Sequence, residues 1–145
     1  ISTREAAMGS SEKGNLVPPE LKYTEDHEWI LLEDDNTGLC GLTDHAQHSL
    51  GDIVFIEFIS IIENSKIEKK DTVAIVESPK AASDIYSPVS GTVVKLNREL
   101  EDSPEAINSD PYGKGWIFRI SIKNISKLDT LMNADQYTDY IKSED

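Results

Sequence analysis

The sequence predicts a mainly β fold with a few short helices. Two observations carry this: runs of alternating apolar and polar residues recur at short intervals with turn residues between them, and helical periodicity is confined to two places. Strands alternating with long helices, the mark of a parallel α/β sheet, are absent. At 145 residues the chain reads as one domain, long enough to bury a core without disulfides or metal. Residues 1 to 19 lack periodicity and mix Ser, Gly, Glu and Lys, so they are expected to be a flexible tail, with 20–145 forming the domain. A tail of this kind fits a transit-peptide remnant or a vector-derived scar.

From the tail onward, "EWILLE" (28 to 33) is a first short strand and "DDNTG" its turn. "TDHAQHSLG" predicts a short helix, with Thr43 or Asp44 capping its first amides, Gln47 completing a box and Gly51 ending it. In "DIVFIEFI" (52 to 59) the period of two places Val54, Ile56 and Phe58 on one face and Phe55 and Glu57 on the other. "DTVAIVES" (71 to 78) repeats that shape, and its "KDTV" echoes the earlier "GDIV". "GTVVKLN" (91 to 97) is a further strand. "WIFRISI" (116 to 122) sets Trp116, Phe118, Ile120 and Ile122 against Arg119 and Ser121. "NSDPYGKGW" is dense in turn formers and must be an ordered loop. Leu128, Leu131 and Met132 stand at helical spacing behind Ser126 as a cap, which predicts one or two short C-terminal helices.

Composition excludes several roles. The formal net charge of −13 opposes binding to nucleic acid, which requires clustered Lys and Arg. No apolar run approaches the roughly 20 residues of a membrane helix. The single cysteine, Cys40, can form no intrachain disulfide, and its apolar setting in "GLCGL" makes it a packing residue rather than a nucleophile. Cys40, His45 and His48 lie close in sequence but match no zinc signature, so no metal site is expected. Phosphate loops and nucleophile elbows are missing as well.

One feature resists a purely structural reading. "VESPKAASDIYSPVSG" (76 to 91) places Lys80 where two strands reverse, with Pro79 suited to the second position of a type I turn and small residues following. Acidic neighbours Glu77 and Asp84 favour the charged ammonium, which argues against a Schiff base. The pattern leaves open an ordinary polar turn, an interaction hot spot and a lysine displayed for covalent attachment of a cofactor.

Taken together, "KYTEDHEWI", "GLTDHAQHSLGDIVFIE", "VESPKAASDIYSPVSG" and "LNRELEDSPEAINSDPYGKGW" resemble the H proteins of the glycine cleavage system, lipoyl carriers related to biotinyl and lipoyl domains. The resemblance covers nearly the whole chain after the tail. It implies a flattened β-barrel or sandwich of two antiparallel sheets, a lipoyl-domain-like barrel-sandwich hybrid, with Lys80 amide-linked to lipoate. It further implies a non-catalytic carrier that takes an aminomethyl group from a pyridoxal-phosphate glycine decarboxylase (P protein) to a tetrahydrofolate-dependent aminomethyltransferase (T protein). Dihydrolipoamide dehydrogenase (L protein) would reoxidise it, and a lipoate-attaching enzyme would modify it. Glu28 and Asp84 match the cleft that shelters the loaded arm; Asp26 and Ser49 are weaker matches. Two departures stand out: Pro79 occupies a position usually held by Val or Thr, and "EFISIIENSKIEKKD" lacks the usual Pro and Gly. An H-like lipoyl relay serving other enzymes, or an unmodified interaction module, are the alternatives. The system implies the mitochondrial matrix for a transit-peptide remnant and the bacterial cytoplasm otherwise.

Overall fold

The computed structural model describes residues 16–59 and 63–144. Among the described residues nine strands run in chain order: β1 (Lys22–Tyr23), β2 (Glu28–Leu32), β3 (Thr37–Leu42), β4 (Phe55–Phe58), β5 (Lys66–Ile67), β6 (Thr72–Glu77), β7 (Ala82–Tyr86), β8 (Gly91–Leu96) and β9 (Phe118–Ile122). Four helices join them: α1 (Asp44–Leu50), α2 (Glu99–Asp102), α3 (Ala106–Ser109) and α4 (Ala134–Glu144). Among the described residues the strands form two antiparallel sheets, one ordered β1-β2-β3-β9-β8-β5 and the other β4-β6-β7. The expected sandwich of two antiparallel sheets is therefore present, and the sheets do not close into a barrel.

The main core lies between the sheets. Ile30, Cys40, Val93, Phe118 and Ile120 from the larger sheet meet Ile56, Val73, Val76 and Ile85 from the smaller one, all nearly inaccessible. Cys40 is buried there, and burial pushes its thiol pKa up, as expected of a packing residue. A second cluster of Leu21, Tyr23, Trp29, Tyr112, Tyr137 and Ile141 fills the space under α4. Its centre is the stacked pair Tyr23 and Tyr137, with ring centroids 4.6 Å apart. Leu16 and Val17, from the stretch read as tail, pack against this cluster, and the Tyr112 hydroxyl donates to the Leu16 carbonyl at 2.6 Å. The rest of that stretch, residues 1–15, lies outside the described residues.

Local chemistry accounts for most elements. Thr43 caps α1 by accepting from the Ala46 amide, Gln47 bonds the Asp44 carboxylate, and Gly51 ends the helix at φ 85°. The echo between "GDIV" and "KDTV" has a partial backbone counterpart, because Gly51 and Lys70 both have positive φ, 85° and 78°. The "NSDPYGKGW" loop is ordered as expected: the Asp110 carbonyl accepts from Gly113 and Gly115, and the Trp29 indole donates to the Pro111 carbonyl.

Three expectations change in detail. Val54 is not on the buried face with Ile56; it is 57% exposed, because the pleated ladder starts only at Phe55 and Ile53 takes the buried place before it. Trp116 leaves the face of Phe118, Ile120 and Ile122, because β9 begins at Phe118; its ring packs with the outer cluster under the Arg119 guanidinium. The cap of the segment at 125–130 is Asn124, whose side chain accepts from the Ser126 amide, and that segment is a 3-10 helix. The next helix, α4, opens on a reciprocal box between Asn133 and Gln136 that the sequence reading missed.

Gly91 pairs with Ile67 on one side and Ile122 on the other, where a Cβ would overlap the Ser121 carbonyl oxygen and crowd Ile120. Gly91→Ala is expected to cost about 2–3 kcal/mol in urea unfolding, the scale of overpacking in a tight site. An unchanged midpoint would show that β8 and β9 can separate freely at that point.

Candidate functional site

Lys80 stands at the tip of the β6–β7 hairpin. Ser78 and Ala81 close the hairpin, with the Ser78 amide donating to the Ala81 carbonyl at 2.8 Å and the return bond at 3.4 Å, leaving Pro79 and Lys80 as the loop. Neither loop residue has a positive φ, which excludes the primed and type II turns; proline second and lysine third are compatible with type I. Neither closing bond uses the nitrogen of residue 79, so the donor that proline lacks is not missed. The Ser78 side chain reinforces the turn through Ala81. Lys80 is exposed, and its Cε lies 3.6 Å from where a Cβ on Gly51 would stand, so the lysine stem leans on the end of α1. Beside the hairpin base, Val54 and Phe55 leave an apolar patch, and Phe55 pairs with Glu77.

Glu28 lies elsewhere. The turn between β1 and β2 carries His27 at φ 69° and delivers Glu28 into the seam between the sheets, where it is 2% exposed. One carboxylate oxygen accepts from the Thr24 hydroxyl at 2.8 Å, and the other accepts from the Tyr86 amide of β7 at 2.9 Å. Burial raises its pKa from 4.5 to about 7, opposed by these hydrogen bonds; Asp26 adds to the rise and Lys70 offsets it. Ionising Glu28 in place therefore costs about 3 kcal/mol more than in water.

Glu28 forms part of the wall of a cavity of about 260 Å³ shared with Thr24, Lys70, Leu131, Met132 and Tyr140. Lys70 was not foreseen as a site residue. Its ammonium pairs with Asp26 and lies 6.0 Å from the centroid of the Tyr86 ring.

The other expected residues distribute between these two places. Asp84 is exposed on β7, sharing the face of Ala82 and Tyr86 while Ile85 points into the core. Asp26 is occupied by Lys70 near Glu28, whereas Ser49 is exposed near the C-terminal end of α1. Strand β7 thus runs from the lysine turn past Asp84 to Tyr86, whose amide is held by Glu28. Cys40, His45 and His48 are not gathered: Cys40 is in the core, and His48 faces Asp44 at 3.5 Å. His45 is instead beside His27 and Glu144.

The chain is similar to known proteins of one family. The family model described as "Glycine cleavage H-protein" matches residues 21–144. The glycine cleavage system H protein of Psychrobacter cryohalolentis is 52% identical over 121 residues, covering 83% of this chain and 94% of that protein. That of Carboxydothermus hydrogenoformans is 48% identical over 130 residues, covering 90% and 98%. The crystal structure of a glycine cleavage system H protein from Mycobacterium marinum superposes with a TM-score of 0.75 at 30% identity, covering 88% of this chain and 98% of that one. With a family model spanning both sheets and α4, and half-identical relatives matched almost end to end, the chain belongs to the glycine cleavage H-protein family, the lipoyl-carrying, non-catalytic component of the glycine cleavage system.

Proposed function

We propose that Lys80 is the attachment point for lipoate, through an amide between the lipoate carboxyl and Nζ, and that the loaded arm rests along β7 with its amine toward Glu28. The observation that carries this reading is the placement of one exposed lysine on a closed two-residue turn at one end of β7, with a buried carboxyl at the other end. Among the described residues no ion pair or hydrogen bond engages the Lys80 ammonium, so converting it to an amide gives up no native contact. Once attached, lipoate supplies the dithiolane sulfurs that carry the aminomethyl group. The protein supplies a fixed pivot, an open face of β7 bearing Asp84, and a pocket containing a buried carboxyl able to ionise beside a cationic amine.

The apolar patch of Val54 and Phe55 beside the hairpin is where partner components would seat when they receive the arm. We assign these partners as the P, T and L proteins and a lipoate-attaching enzyme. The curated relatives named above are bacterial, which favours the cytoplasmic alternative over the mitochondrial matrix. Among the described residues no helix is long and apolar enough to cross a membrane.

Incubation with lipoate, ATP and a lipoate ligase is expected to add one lipoyl mass to the intact chain and none to Lys80→Arg; an adduct surviving in the variant sinks the assignment. Glycine–bicarbonate exchange by the decarboxylase should then depend on the modified chain. Pro79→Val should be lipoylated at a rate within about twofold of the parent, while losing about 0.5–1 kcal/mol of stability through a freer unfolded chain. A large gain in lipoylation would instead make Pro79 a brake on recognition.

Glu28 gives a pH signature. Between about pH 4.5 and 7 the folded chain holds a proton on Glu28 that the unfolded chain has lost, so this residue's contribution to stability falls as pH rises through that window. A cationic amine in the pocket reverses the preference and favours the carboxylate. Because the amine draws this titration below 7, the half-life of the aminomethyl group on the wild-type chain, relative to Glu28→Gln, is expected to lengthen from about pH 5 to about pH 7. A ratio that stays flat across that range removes Glu28 from the cleft.

A further inference from the structure

The carrier role leaves one convergent group of side chains without a task. His27 lies in the β1–β2 turn, His45 in the first turn of α1, and Glu144 at the last position of α4. His27 Nε2 is 3.1 Å and His45 Nε2 3.7 Å from the same Glu144 oxygen, and one ligand atom from each of the three residues lies within 4.8 Å of the others. The two imidazole rings are 4.7 Å apart and tilted by 44°, so they are not stacked flat.

We propose that His27, His45 and Glu144 form a binding site for a divalent transition-metal ion of the zinc class, with water completing the coordination sphere. Two imidazoles and a carboxylate are a donor set that suits such ions, and three protein ligands leave a fourth tetrahedral position for solvent. Ligand atoms around a tetrahedral zinc ion stand about 3.4 Å apart, close to the 3.1 and 3.7 Å spacings seen without any ion. Both histidine side chains are largely covered, 20% and 16% exposed, whereas Glu144 at 37% keeps the site open to entry.

The surroundings also orient the first ligand. His27 Nδ1 is 2.8 Å from the Tyr137 hydroxyl, which is in turn 2.8 Å from the Thr43 hydroxyl. A ring whose Nδ1–H donates to Tyr137 presents the Nε2 lone pair to the site, and Tyr137 can pass its own proton toward Thr43. An ion here ties the β1–β2 turn and α1 to α4, the helix whose Tyr140 lines the Glu28 cavity and donates to the Glu25 carbonyl.

The test uses the full-length untagged chain with its arm absent or oxidised, because a reduced dithiol itself binds zinc. Competition between the chain and a chromophoric chelator for Zn²⁺ is expected to show one ion per chain with micromolar affinity or tighter. His27→Ala, His45→Ala and Glu144→Gln should each weaken binding by about tenfold or more. His48→Ala is the control, since His48 faces Asp44 instead, and it should bind as the parent does. Because the chain has 3 histidines, a ring-proton spectrum with Co²⁺ provides a second readout independent of variant folding. His27 and His45 should show large paramagnetic shifts while His48 does not. Failure of the parent to bind, equal affinity in His45→Ala, or shifts centred on His48 would each overturn the site.

Discussion

The carboxyl of Glu28 is the interaction on which the site depends, because it joins the two sheets where the cavity opens. It enters from β2 in the larger sheet and holds the Tyr86 amide of β7 in the smaller one. At 2% exposure a carboxyl is expensive to ionise, and the hydrogen bonds its two oxygens accept from Thr24 and Tyr86 offset part of that cost, whereas a purely apolar side chain would leave the Tyr86 amide without that partner. The clasp fixes the end of β7, and through the strand's pleat it fixes which face Ala82 and Asp84 present.

The other end of β7 is fixed by different means. A type I turn in a two-residue hairpin does not match strand twist as the primed turns do, so the β6–β7 tip needs reinforcement. Three contacts provide it: the closing bonds between Ser78 and Ala81, the Ser78 hydroxyl, and the lysine stem resting at Gly51. Proline in the second position suits this geometry because it presets φ and gives up a donor that the turn does not use. The residue that departs from the family pattern is therefore compatible with the turn it occupies.

How much of this the sequence disclosed depended on the range of the interaction. Period-two strands such as Phe118–Ile122, the Thr43 cap and the Lys80 turn were legible because their causes lie within a few residues. Val54 and Trp116 were misplaced where a period was extended past the residue at which the ladder begins, a boundary set by pairing with β6 and β3 rather than by local pattern. Asn133 and Gln136 did carry a local capping signal, hidden by the apolar spacing of Leu128, Leu131 and Met132 before it. Glu28 and Asp84 came from family resemblance, and nothing in the pattern alone placed Lys70 near Glu28. The grouping of His27 with Glu144 has no sequence signature, since it exists only when α4 folds back over β1 and stacks Tyr137 on Tyr23.

A carrier must hold its arm when loaded and release it when empty, and the two states differ at the tip chiefly by one positive charge. A permanently ionised carboxylate would attract stray cations, while an apolar pocket would favour the uncharged arm. A carboxyl with a pKa of about 7 sits between these limits. In the proposed resting place of the arm, facing a neutral dithiolane, about half of it stays protonated near pH 7. Facing an ammonium it would ionise, and the attraction would form at a carboxyl that is itself buried. Lys70 helps set that balance: with its charge directed to Asp26, it offsets part of the cost of ionising Glu28 without closing the ion pair itself. In a chain of net charge −13, Lys69 and Lys70 both line this cavity, so positive charge stands beside the buried carboxyl.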